Sequence, residues 1–443
     1  MPDVPALDNP GWVDVQYALP VNGTYISGPI SALTTTALPG KFYGSTQYGP
    51  YIAEGVSTAN TNAVIRIGTG STASATITSF AGFVDFYNWD INSGTYFASG
   101  QTLGYLSVGS LSYTDVTGAP QCTFVDRINH FMMVGGSSGL PFSVQWSSLD
   151  DPNDWPTPLS STAVARQSGS QDFAKEFGNI ADIIGGDEYG IVLQARAVNR
   201  VQYIGGNIVF QFDQIAENFG TVYPHSGIRA GNKFYFVADS GIFVTDGFNV
   251  QNLSYGKFSK FIRDNISSAN LASLNSYPVV NAKLDAVRGL IYWTYGAGFL
   301  VYNYLESRAS YIPNANNGLL FADAIGQTLS AVVSTYYDTQ YTGGNEGAVF
   351  QTGDFEPNVG GMSRIDGVAP LVNVTSASVS TSVISRNTFS GTSSTSGPVQ
   401  STVTTGFSDH RQEGRYHSAK IEISGTFNSM QGVEVRQTAT GNK

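Results

Sequence analysis

"GNKFYFVADSGIFVTDGFNVQNLS", residues 231–254, decides the fold class. Phe234 and Phe236 alternate with Tyr235 and Val237, the period of two that sends successive side chains to opposite faces of a strand. "ADSG" turns the chain, Ile242 to Thr245 brings it back, and the Asp246-Gly247 pair is a strong second turn signal. The unit is a short strand, a turn and a returning strand. Working outward, "RGLIYWTYGAGFLVYNYLESRASYI" (288–312) repeats the scheme. Looser copies lie at 79–107, 126–146, 187–212 and 326–355.

These units recur every ~40–55 residues, the repeat length of propeller blades. A four-stranded blade cannot bury both of its faces alone, so blades must stack around an axis. The expectation is an all-β chain of β-propeller-like repeats, six or seven blades over 41–365. An N-terminal arm and entry strand precede them over 1–40, and a C-terminal β element follows over 366–443. One short amphipathic helix is predicted in 256–274, where Phe258, Phe261, Ile262 and Ile266 fall at helical spacing. The stretch 168–180 admits a single helical turn. Past residue 365 a Ser/Thr-rich, charge-poor stretch (376–409) precedes a tail (414–443) read as two strands. Ile421 and Ile423 share a face there, and Val433 and Val435 do likewise. This element is either a final blade or a small sheet packed on the propeller.

Composition agrees. Charged residues make up 12% of the 443, against roughly 25% in ordinary globular proteins. Fifty glycines with abundant Ser and Thr suit tight turns and starve long helices. Aromatic residues throughout the chain argue against disorder. The formal charge of −11 comes with no Lys/Arg-rich run, which disfavours tight wrapping of a phosphate backbone. The single cysteine, Cys122, permits neither an internal disulfide nor a Cys-based zinc site and reads as a small apolar strand residue. No charged-then-apolar amino terminus and no run of 18 apolar residues occur. A soluble protein folded in a reducing cytoplasm is expected.

The stretch richest in chemistry is "WSSLDDPNDWPTP" (146–158). A calcium loop would need regularly alternating oxygen ligands and a turn glycine. Here Pro152 interrupts Asp150, Asp151 and Asp154, and no glycine or later Glu completes the pattern. The residues instead suit a rigid corner: Asp and Asn shape the turn, Pro fixes φ, and Trp146 and Trp155 anchor it. Paired glycosidase carboxylates need only meet in space, so the sequence leaves them open. His130, His225, His410 and His417 are dispersed. "PHSGIR" sets His225 beside Ser226, but strand neighbours point to opposite faces. No phosphate loop, dinucleotide fingerprint or nucleophile elbow is present. No catalytic residue, cofactor or metal ligand is assigned.

The corner also fits a pattern. "FSVQWSSLDDPNDW" (142–155) matches F-x-x-x-W-S-x-L-x-D-P-x-x-W and is followed by "IADIIGGDEYGIVLQARAVNRVQYIGG" (180–206). "IAENFGTVYPHSGIRAGNKFYFVADSGIFVTDG" (215–247) comes next, and "GRYHSAKIEISGTF" with "GVEVRQTATG" closes the chain. In these segments the chain resembles tail nozzle, or hub, proteins of short-tailed bacteriophages, of the packaged-DNA stabilisation type. Residues 120–255 carry most of the resemblance. The resemblance implies a virion subunit, made in the host cytoplasm, of which six copies ring the genome exit channel. Its partners would be other copies of itself, an adaptor ring above, and tail fibres or spikes. Double-stranded DNA would pass through without specific binding. It also implies that Trp146, Asp150, Asp151, Pro152 and Trp155 form a structural link between blades. The competing reading is a glycan-binding or glycan-cleaving propeller, which aromatic β surfaces suit; repeated Ser-x-Asp-x-Gly-x-Thr-Trp boxes, however, are absent.

Overall fold

The computed structural model describes residues 11–441 apart from 28–30, 35–40, 49–50, 58–61, 69–70, 78–83, 91, 109–112, 207, 267–279, 296–297, 314–318, 324–327, 333–334, 339–346 and 403–404. Seven four-stranded antiparallel units follow one another along these residues. Their first strands are Lys41–Tyr48, Asp85–Tyr87, Phe124–Ile128, Ile180–Ile184, Ile228–Ala230, Ala282–Asp285 and Leu319–Asp323. These first strands lie side by side around an axis, and Leu319–Asp323 neighbours Lys41–Tyr48, so the ring closes. We number the blades one to seven in this order. Blade seven is completed by Ser31–Thr34, which pairs with Thr335–Asp338. An early strand thus latches the last blade, and the all-β, propeller-like architecture expected from the repeats is present.

Blades three, four and five bury both faces, which explains the apolar runs within their strands. In blade five, Phe234 and Phe236 face Ile184, Ile191 and Leu193 of blade four. Tyr235 and Val237 on the same strand face Ile291, Trp293 and Leu300 of blade six. Blade three divides likewise: Met132 and Val134 pack on blade two, and Phe131 and Met133 pack on blade four. Alternation here separates two neighbours, each a core, and the burial of aromatic and branched side chains at ~25 cal/mol per Å² of apolar surface holds the ring.

Among the described residues two α-helices interrupt the strands where one was expected. Ser259–Ile266 falls inside the predicted 256–274 stretch, with Ile262 and Ile266 buried; residues 267–274 lie outside the described residues. The second, Ser161–Arg166, was not foreseen. It is one and a half turns long and buries only Ala163, too little for periodicity to register. Its signal is local: Ser160 caps it by accepting the Ala163 N–H, and Gln167 ends it in the left-handed region at φ 61°. The turn expected in 168–180 is a 3-10 turn at Lys175–Phe177.

The C-terminal element is a sheet fused to blade six, not a blade. Met362–Arg386 and Tyr416–Gly441 pair with each other along their lengths. Ala348–Thr352, assigned to the propeller from sequence, pairs with Tyr416–Gly441 and with Trp12–Gln16. Gln16 in turn meets Tyr311 of blade six. The tail read as two strands is therefore one strand. Gly425 lies within that strand at φ +107°, where a Cβ would meet Ser376 O at 2.4 Å. The two strands cover a core of Ile365, Val368, Val383, Ile421, Ile423 and Phe427.

Candidate functional site

The 146–158 corner follows the third strand of blade three, Ser143–Trp146. Its two indoles enter different cores. Trp146 packs edge-on against Phe210 at 5.1 Å within the core between blades three and four, and its Nε1 donates to Gln167 O at 2.9 Å. Trp155 lies in the core between blades two and three and donates to Pro152 O at 2.8 Å. Pro152 itself is buried. Asp150 sits in the left-handed region at φ 57° and meets His130 Nδ1 at 2.7 Å. Asp151 accepts the Asn153 N–H at 3.0 Å, an Asx turn. Asp154 accepts from Ser148 Oγ at 2.6 Å and from Arg166 at 2.5 Å. The Ser148 hydrogen bond first, and Arg166 second, hold its carboxyl below the usual range. The three acids are thus taken up separately, and among the described residues no group of three or more His, Cys, Asp or Glu is disposed to hold a metal ion. Replacing Asp150, Asp151 and Asp154 together with Asn should cost about 1 kcal/mol per exposed pair or less. Millimolar calcium should leave the melting temperature of the wild type unchanged; a rise of several degrees would restore the metal reading.

A denser cluster of ionisable groups lies on the propeller axis, and sequence reasoning did not single it out. Asp85, Asp126 and Asp182 stand on the inner strands of blades two, three and four. Each accepts the next residue's N–H with one oxygen: Phe86 at 3.0 Å, Arg127 at 2.7 Å and Ile183 at 3.0 Å. With the other oxygen each reaches the following blade, at Val125 N (2.9 Å), Gly185 N (2.6 Å) and Gly227 N (2.7 Å). Gly185 and Gly227 have no room for a side chain, since a Cβ would lie 2.5 Å from Asp126 Oδ1 and 2.7 Å from Asp182 Oδ2 respectively. The same staple is therefore repeated three times. Its sequence signal is an apolar-Asp pair, Val84-Asp85, Val125-Asp126 and Ala181-Asp182, recurring at the start of successive units.

The staples border a cavity of about 180 Å³ that His225, Arg229 and Lys283 also line. His225, at φ 59°, places Nδ1 3.5 Å from Asp85 Oδ1 and its ring 5.0 Å from that of Phe124. Burial pushes Asp126 up to about 7 against the pull of its two backbone N–H bonds. Burial likewise pushes Asp182 up to about 8, against the opposing charge of His225. Burial alone would lower His225, but Asp85 and Asp182 raise it above the ordinary imidazole value. Chemically, the cluster ties neighbouring blades together.

The other histidines serve the C-terminal sheet. His417 lies between Ser363 Oγ at 3.0 Å and Ser385 Oγ at 2.6 Å, and His410 between Thr381 Oγ1 at 2.9 Å and Ser396 Oγ at 3.2 Å. Both are buried, and burial lowers both below the usual value. A depressed imidazole contributes stability above its unfolded value of ~6.5 and loses it as pH falls through the folded value. Acidification below about pH 6 should therefore lower the protection factors of amides in Met362–Arg386 and Tyr416–Gly441, once rates are divided by the intrinsic exchange rate at each pH. Unchanged protection factors there at pH 5 would contradict this. Cys122 is fully buried and its thiol is pushed up by desolvation, as for an inert core residue. Among the described residues no helix is long and apolar enough to cross a membrane.

No family model and no curated protein matches the chain. Solved structures do resemble it in fold. The extracellular domain of BT4673 from B. thetaiotaomicron is 12% identical, with a TM-score of 0.47 over 73% of this chain and 46% of that one. The WD40 domain of Toxoplasma gondii coronin is 11% identical, with a TM-score of 0.43 over 75% and 87%. The Neurospora crassa Pan2 WD40 domain is 8% identical, with a TM-score of 0.41 over 68% and 90%. This chain spans less than half the length of the BT4673 domain. The likeness is one of fold alone.

Proposed function

We propose that this chain is a non-enzymatic structural subunit of the tail nozzle, or hub, of a short-tailed bacteriophage. Six copies surround the genome exit channel, meet an adaptor ring above and carry fibres or spikes. The observation that carries the reading is the resemblance centred on 142–155. The geometry of that stretch supports it: the corner's two indoles occupy two different inter-blade cores, a structural rather than a reactive placement. The axial carboxylates support it as well, because their oxygens are engaged by backbone N–H groups of the same and the next blade. Charge supports conduction. A duplex passing six copies at −11 each is repelled and stays hydrated, whereas Lys/Arg walls would hold it by counterion release. Quantitative mass spectrometry of purified particles tests the assignment, with six copies per particle expected. Three copies, or none, would favour the glycan-binding reading instead.

A further inference from the structure

The strand Tyr416–Gly441 leaves one edge open. Met362–Arg386 occupies one side throughout. On the other, Ala348–Thr352 covers Lys420 to Ile423, and Thr24–Ser27 reaches the strand at Tyr25 opposite Met430. The hairpin turn at Asn22-Gly23 then carries the chain away. Among the described residues nothing pairs with this edge from Gln431 to Gly441. Open edges are templates for added strands, and proteins ordinarily blunt them with Lys, Pro or short length. "QGVEVRQTATG" contains neither Lys nor Pro, and its charges are limited to Glu434 and Arg436.

A cavity of about 450 Å³ opens where Thr24–Ser27 stops, lined by Trp12, Tyr25, Arg308, Met430, Gln431 and Gly432 among others. That volume suits a side chain or small ligand. Trp12, packed on Phe350 at 5.3 Å, supplies an aromatic wall. Among the described residues the Arg308 guanidinium has no hydrogen-bonded acceptor; its nearest carboxylate oxygen, Glu306 Oε2, is 3.9 Å away. That oxygen is buried without a hydrogen-bond donor, while Oε1 accepts the Gly23 N–H at 2.8 Å. The head of the edge therefore presents a partly exposed guanidinium, only loosely paired with Glu306, that can take a closer anionic partner.

We propose that this edge and its pocket dock an extended segment of another protein, which adds as a strand along Gln431 to Gly441 and continues the line of Thr24–Ser27. One apolar side chain fills the pocket, and a neighbouring carboxylate pairs with Arg308. Main-chain bonds give such a complex its affinity and the pocket its selectivity. A second copy fits less well: full antiparallel self-pairing would bring Thr438 to Gly441, which has no side-chain carboxylate, to the pocket of the other copy. The proposal does not depend on the virion assignment.

The test pans a random twelve-residue peptide display library on the full-length chain. Enriched peptides should carry an acidic residue next to an apolar one. The best of them, made synthetically, should slow amide exchange at Gln431–Gly441. Arg308→Ala should weaken it at least about tenfold, and Arg308→Lys should recover part of the loss, with unchanged circular dichroism for both variants. No enrichment, equal binding to Arg308→Ala, or protection confined to other segments would overturn the proposal. So would protection of this edge by raised protein concentration alone, because a second copy would then hold it.

Discussion

Replacing either Trp146 or Trp155 with Ala is expected to cost about 3–5 kcal/mol. Trp146 is 6% exposed and Trp155 5%. Each removal empties a core shared by two blades and leaves a carbonyl, of Gln167 or of Pro152, without its indole donor. The loss should appear as a lower midpoint in urea at an unchanged slope. The two effects should add within a few tenths of a kcal/mol if the cores are independent, because Trp146 packs with blade four and Trp155 with blade two. Wild-type midpoints for both variants would show that the corner does not tie blade three to its neighbours.

The axis should make the propeller sensitive to alkali. Asp126 and Asp182 are raised in the folded chain to about 7 and about 8, against ~3.9 for an unfolded aspartate. The folded state therefore binds these protons more tightly. Their contribution is fully present below about pH 4 and is lost as pH rises through 7 and 8, at a cost on the order of several kcal/mol. His225, also raised, acts in the same direction, since its charge is lost over the same rise. Asp85, Arg229 and Lys283 face the same cavity, and Lys283 opposes the rise at His225. Carboxylates held low elsewhere, Asp187 by Arg229 and Arg127 among them, act oppositely and lose stability as pH falls. The optimum should thus lie on the acid side of neutrality, with a clear drop in Tm between about pH 6 and 9. Asp182→Asn should flatten that drop while costing about 1–3 kcal/mol at neutral pH through its misdirected amide. A Tm independent of pH from 6 to 9, or a slope untouched by Asp182→Asn, would contradict this account of the axis.

Much of the fold was legible in the sequence because strand and turn chemistry is local. Phe234 to Val237 and the turns after them reported a strand pair without any knowledge of neighbours. What alternation could not report was that both faces are buried, since apolar residues then occupy every position and the pattern marks two partners, not inside and outside. The capped helix at Ser161–Arg166 was too short to carry a period. The tail 414–443 read as two strands because the Ile421/Ile423 and Val433/Val435 pairs are separated by a Gly- and polar-rich stretch, which the structure spans with one continuous strand. The corner was legible as rigid, as Pro152 and the paired tryptophans imply, but which blades it joins depends on tertiary contacts. The axial staples were missed for another reason. An aspartate within an apolar strand looks like an exception until three units are aligned on it, and the spacings from Asp85 to Asp126 to Asp182 are unequal because loops of different length intervene.

The proposed ring is open to direct view by cryo-electron microscopy of the intact particle. Six copies of this chain should surround the DNA exit axis, below an adaptor ring and bearing fibres or spikes at their sides. Ring contacts between identical subunits are heterologous, so one surface of each copy should meet a different surface of the next. Trimers at fibre tips, or absence of the chain from the particle, would contradict the account.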